Sequence, residues 1–218
     1  MKAPLLSMAN PENSQSNTGA VANVVTEKLM DCPRRRTKGF SLIELLIVVA
    51  VLLIIAAIAI PSLLRSRIAA NEASAVGSLR SIATANATYA TIYAVGYAGD
   101  LNHLGPPAVP PADATHADLL DTAISGGCPA ACTPNNATKS GFNFTYQAPN
   151  AAPTTASPNN TFTAVAVPIL VGNTGTSTFC VDHTNVILKD IAIGGGNTSA
   201  SGNGCRVDGW VGGTIAPI

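Results

Sequence analysis

The chain has 218 residues and is formally neutral, with 12 basic and 12 acidic side chains. Charged residues make up 11% and aromatic residues 5%, and no basic patch follows residue 39, so nucleic acid is excluded as a dominant partner. Neutrality hides an asymmetry: six basic and three acidic residues precede Phe40, and six basic and nine acidic residues follow from there.

Met1 to about Met30 is polar, without a hydrophobic period, and is read as disordered. A basic cluster follows, Arg34-Arg35-Arg36-Thr37-Lys38-Gly39, and then an apolar run, Phe40 to Ile60, FSLIELLIVVAVLLIIAAIAI. As a helix this run would extend about 30 Å, the thickness of a bilayer core. Basic residues ahead of it favour that end on the cytoplasmic side. A signal peptide or a simple signal anchor is the plainest reading of such a pattern. The run is longer than the apolar core of a signal peptide, and it contains a carboxylate, Glu44. Placing a carboxylate at membrane depth costs about 2.5–3.5 kcal/mol, so Glu44 is a candidate functional residue whose charge needs a partner.

The stretch Lys38-Gly39-Phe40-Ser41-Leu42-Ile43-Glu44-Leu45 resembles the processing site of type IV prepilins and pseudopilins. The resemblance implies cleavage between Gly39 and Phe40 by a prepilin peptidase, which also N-methylates Phe40. It makes Glu44 the fifth residue of the mature chain, and it includes a proline at Pro61. Physical chemistry accommodates this. Gly39 offers no side chain to obstruct a narrow protease site, and cleavage frees an amine on Phe40 that can pair with Glu44 in low dielectric. The family's use of that pair is assembly, Glu44 of one subunit meeting the amine of the next. Residues 1–39 are then a leader. It is long for the family, and translation from Met8 or Met30 would shorten it.

A long helix is expected from about Phe40 to Ala94, hydrophobic over 40–60 and amphipathic over 61–94, with a kink at Pro61. Ala50, Ala56, Ala57 and Ala59 allow close helix approach. Ile68, Ala75, Val76, Leu79, Ile82, Ala83, Tyr89 and Tyr93 recur at helical spacing and predict the buried face; Asn71, Glu72, Ser78, Ser81 and Asn86 fall largely elsewhere. Ser62 to Tyr97 also resembles pilin-like proteins of Acidobacteria. Gly96 and Gly99 end the helix, Leu101 to Ala114 is a Pro-rich loop, and Thr115 to Ile124 reads as a short helix capped by Thr115. Cys128 to Asn136 is loop. Strands are expected at 141–148, 161–167, 178–182 and 186–191, with Pro168 marking a strand end or a sheet edge. Gly194 to Gly204 reads as a mobile loop, and Trp210 as the anchor of the C-terminus. The expected fold is α+β: a long helix packed on an antiparallel sheet of about four strands, the globular part being 95–218, as the resemblance also implies.

Cys32 lies in the leader. Cys128, Cys132, Cys180 and Cys205 remain, an even number on the extracytoplasmic side, with three connectivities open. Cys180–Cys205 with Cys128–Cys132 is favoured. The first pair closes a loop of about 25 residues, worth roughly 3 kcal/mol, and resembles the C-terminal disulfide of many pilins. The second would be a tight ring, Cys-Pro-Ala-Ala-Cys.

Little else points to chemistry. His103, His116 and His183 are scattered singly and read as solvated loop residues, and no cluster has metal-ligand spacing. Asp182, Asp190 and Asp208 match no defined calcium loop. Tyr89, Tyr93 and Tyr97 stand four apart, read as helix-to-sheet packing ahead of electron transport. No catalytic constellation or cofactor site is legible, and an enzyme is the weakest reading. The expectation is a type IV pilin precursor, held in the inner membrane by one span before polymerising through its N-terminal helices. Its partners are the peptidase, an inner-membrane assembly platform and other copies of itself. The alternatives are the major pseudopilin of a type II secretion system and, from another class, a monomeric signal-anchored surface binding protein.

Overall fold

The computed structural model describes residues 39–125, 135–191, 196–211 and 214–218. The chain divides into two compact units, Met1–Leu45 and Leu46–Ile218. In the first, Gly39 and Phe40 precede the start of helix α1 (Leu42–Tyr93), whose first turn is closed by Leu45 N–H donating to the Ser41 carbonyl at 3.2 Å. Glu44 lies in that turn, where the exposed N–H dipoles favour an anion.

In the second unit α1 runs through Pro61 without losing helical assignment. Its apolar residues up to Leu64 are exposed except for half-buried Ala56, and full burial begins at Ala75. From there Ala75, Ser78, Leu79, Ile82, Ala83, Ala85, Asn86 and Tyr89 are buried, the three- and four-residue spacing of one helix face. The helix stops because Ala94 and Gly96 adopt left-handed backbone, φ 54° and 78°. At Gly96 the chain also bridges to Asn159, whose carbonyl oxygen would lie 2.1 Å from any Cβ, so only glycine fits.

The segment between helix and sheet departs from expectation. A four-residue helix α2 (Leu101–Leu104), capped by Asp100, lies where loop was expected, and the expected helix 115–124 is absent. Local bonding explains both. The Asp113 carboxylate accepts from Thr115 N–H, Thr115 Oγ1 and His116 N–H, so the hydroxyl expected to cap a helix closes a turn instead. The backbone N–H groups of Ala117, Leu119 and Leu120 donate back to carbonyls of His103 and Leu104, which removes them from any helical ladder.

The sheet is a six-stranded antiparallel meander in chain order: β1 (Asn136–Lys139), β2 (Phe142–Gln147), β3 (Thr163–Pro168), β4 (Thr178–Asp182), β5 (Ile187–Asp190) and β6 (Ile215–Pro217). The four expected strands are β2 to β5, and the two additional ones are short edge strands. β1 joins β2 through Ser140-Gly141, both at positive φ, the two-residue turn whose twist matches paired strands. Pro168 ends β3. It pairs with Phe142, but the β3–β4 ladder stops at Ala166, so its missing N–H breaks nothing there.

Alternation gives the sheet two faces. Phe142, Phe144, Tyr146, Ala164, Ala166, Phe179, Val181 and Ile187 form the main core with the buried face of α1. Val165, Cys180 and Leu188 point the other way and are covered by Cys205 and Trp210, a second small core. Middle strand β4 is therefore buried at every position.

Candidate assembly surface

Phe40 and nearly all the apolar side chains that follow it are exposed, Phe40 by 80% and Leu42 by 81%. The helix is long and apolar enough to cross a membrane. An apolar surface of this length needs a covering, either lipid or other helices, because the chain supplies none among the described residues. Glu44 is exposed within it.

The domain above this surface is fixed to its helix by polar contacts that the sequence did not reveal. Asn86, assigned to the polar side of the helix by spacing, is fully buried. Its Oδ1 accepts from Ala98 N–H at 3.1 Å and from the Tyr146 hydroxyl at 3.0 Å, and that hydroxyl also lies 2.8 Å from the Ala98 carbonyl. Asn159 completes the knot. Its side-chain amide donates to the carbonyls of Asn150 and Tyr97, and its Oδ1 accepts from Asn150 N–H. Burial drives the Tyr146 hydroxyl pKa well above its ordinary value, with the Asn86 bond only partly opposing. Tyr89 is pushed up to about 12 by burial and by neighbouring Tyr93, Asp100 and Asp113; its hydroxyl donates to the Ala114 carbonyl at 2.6 Å. The tyrosines serve packing: Tyr89 meets Tyr93 with ring centres 4.9 Å apart, and Tyr97 meets Phe162 at 5.0 Å.

Glu72, also assigned to the polar side, reaches across to the sheet. It accepts from Thr176 and lies 3.4 Å from Lys189 Nζ. Burial alone would raise its pKa, but the Thr176 hydrogen bonds and the Lys189 charge outweigh that and hold it below its ordinary value.

Cys180 and Cys205 form a disulfide that spans 25 residues. Cys128 and Cys132 lie outside the described residues, as do the leader up to Lys38 and Cys32. The C-terminal loop is tied to the sheet, with Thr161 Oγ1 donating to the Gly202 carbonyl and Gly204 N–H to Thr163 Oγ1. Trp210 Nε1 donates to the Ser199 carbonyl. His103 corrects the reading of solvated histidines: it is largely buried, with Nδ1 2.7 Å from Asp100. The three aspartates weighed for calcium each serve a turn of their own. Asp182 accepts from Thr184 and Cys205 N–H, Asp190 from Asn197 N–H, and Asp208 from Ser201.

Residues 34–60 match the model of the prokaryotic N-terminal methylation motif. The chain carries the type IV pilin and pseudopilin signature. No curated protein and no solved structure matches it. With the exposed apolar helix, the signature fits a membrane-anchored precursor with a structural role, and it implies processing by a prepilin peptidase. Gly39, Phe40 and Glu44 stand within the matched segment; Pro61 immediately follows it.

Proposed function

We propose that this chain is the precursor of a type IV pilus subunit. Residues 1–39 are a leader that the prepilin peptidase removes after Gly39, and Phe40 becomes the N-methylated end. Segment 40–60 is first the membrane anchor and then the filament core; 61–94 carries the globular part, 95–218, outward. Glu44 neutralises the Phe40 amine of an adjacent subunit and sets the stagger, and Pro61 marks the border between core and domain-bearing helix. An inner-membrane platform feeds subunits into the fibre, and the disulfide-closed domain faces the exterior.

One observation carries this reading: the methylation motif opens a helix whose apolar surface is left exposed by its own domain. Intact mass and N-terminal analysis of the surface protein test it. An N-methylated Phe40 end is expected, and an uncut chain sinks the proposal. Glu44→Ala is expected to be processed yet to assemble poorly; normal fibres from that variant remove Glu44 from the mechanism.

A further inference from the structure

Ile169, Leu170 and Val171 are exposed in the turn between β3 and β4, the one run of three large apolar residues left uncovered outside α1 among the described residues. Single apolar residues at a surface are ordinary, but a contiguous run calls for a covering. The turn is built and not slack. Leu170 N–H donates to Thr174 Oγ1, the Leu170 carbonyl accepts from Asn173 and Thr174 N–H, and Gly172 N–H donates to the Gly175 carbonyl. No charged residue occurs between Pro168 and Thr178. Asn71 Nδ2 donates to the Thr174 carbonyl at 3.0 Å and fixes the turn to α1.

The pairing shows which end of the sheet this is. Ser74 meets Ser140 just before β2, and Asn86 meets Tyr146 near its end, so β2 climbs α1 towards Tyr93. β3 is antiparallel and descends, so the turn that follows it points back towards Ile60. Leu64, Ile68 and Asn71 fall on one helix face, at spacings of four and three, and lead from the exposed apolar segment to the turn. From Leu64 to Asn71 the helix rises about 10 Å. A lipid headgroup layer takes up about 5–7 Å of that. Arg65 and Arg67 are exposed in this interval and form no ion pair among the described residues, at the level where lipid phosphates would meet them.

We propose that the Ile169–Val171 turn is a second membrane contact of the unassembled subunit, seated in the headgroup boundary of the bilayer on the side of the globular part. This rests on the proposed membrane anchor and adds to it. A single helix leaves its domain free to tilt in any direction, and an apolar foot beside it selects one. The occupant is lipid because Leu64 and Ile68 continue the apolar surface that the bilayer covers up to the turn, with the arginines between them placed for phosphate. Seating the turn takes its apolar surface out of water before any fibre exists. Extraction into the fibre then has to lift this foot as well as the span.

Tryptophan fluorescence of the full chain in phosphatidylethanolamine–phosphatidylglycerol vesicles tests this. The one native tryptophan, Trp210, is buried and gives a steady background. Lipids brominated near the top of the acyl chains should reduce the emission added by L170W about twofold. They should leave V186W, on the β4–β5 turn at the opposite end of the sheet, unchanged. Serine at both neighbours, I169S and V171S, should abolish the quenching of L170W. Retention of the Cys180–Cys205 disulfide checks that each variant is folded. Quenching that survives the two serines belongs to the introduced indole and overturns the inference. So does L170W quenched no more than V186W in chains that float with the vesicles. An L170W emission that shifts to the blue only as protein is crowded in the membrane assigns the turn to a second copy and overturns it too. Chains that do not float refute the membrane anchor itself, which flotation reports separately from quenching.

Discussion

Glu72 on the helix accepts two hydrogen bonds, each 2.8 Å, from the backbone N–H and hydroxyl of Thr176, a residue 104 positions away. With Lys189 on the second carboxylate oxygen, this one side chain ties α1 to the open end of the β4–β5 hairpin, where the chain enters β4 and β5 ends.

Replacing Glu72 by Gln should therefore cost about 1–2 kcal/mol, the scale of charge-assisted hydrogen bonds. The pH dependence has a definite sign. The folded pKa lies below the unfolded one, so the unfolded chain binds more protons in the acid range. The contribution is full above the unfolded value and is lost as pH falls through the folded value. Urea midpoints compared at about pH 6 and about pH 3 should differ less in the Gln variant than in the unsubstituted protein. An equal difference in both would remove Glu72 from the acid response.

The Asn86 knot makes a sharper claim about stability. Asn86→Ala should cost about 2–3 kcal/mol, because it orphans the buried Ala98 N–H and deprives the Tyr146 hydroxyl of a partner. Tyr146→Phe should cost less, about 1–2 kcal/mol, since Asn86 then keeps Ala98. Chemical denaturation of both variants checks the order. The reverse order would mean that the Tyr146 hydroxyl, with its bond to the Ala98 carbonyl, and not the Asn86 amide, holds the knot.

Alkali should loosen the same region. Tyr89 is pushed up to about 12, so between the ordinary tyrosine value and that point the folded state binds the extra proton. This raised-pKa contribution is present below about pH 10 and lost as pH rises towards about 12. Ultraviolet titration should show fewer than all four tyrosines ionising before unfolding. Four ordinary phenolate transitions in a folded protein would contradict the buried geometry.

Removing the disulfide with Cys180→Ser and Cys205→Ser together should cost roughly 3 kcal/mol. Trp210→Ala should cost about 3–5 kcal/mol, because the ring fills the second core against Val165 and Leu188. Thermal melts in oxidising buffer measure both. A Trp210 variant as stable as its parent would show that the outer face of the sheet does not depend on this cover.

The elements legible in the sequence were those with a strong period. Apolar residues at three- and four-residue spacing marked the buried face of α1, and Phe142, Phe144 and Tyr146 marked β2. β1 stayed hidden because Asn-Ala-Thr-Lys has only the small Ala137 to bury, and β6 because Ile-Ala-Pro is too short to alternate. Asn86 and Glu72 were misplaced for a common reason. Spacing sorts residues by polarity, whereas a buried polar side chain is decided by partners distant in sequence. Asn86 meets Tyr146 across 60 residues. The methylation motif was legible because it is local.

The ring closed by Cys180 and Cys205 also bears on mechanics. If the folded part is pulled from its two ends, the 25-residue separation between the cysteines cannot pay out while the bond lasts. Fully extended, that length is on the order of 80–90 Å of chain. β5 lies inside the ring, so a tensile load that peels the sheet can release the segments outside the cysteines but cannot draw β5 out as free chain. Oxidised, the domain is a short tether; reduced, it becomes a longer and softer one.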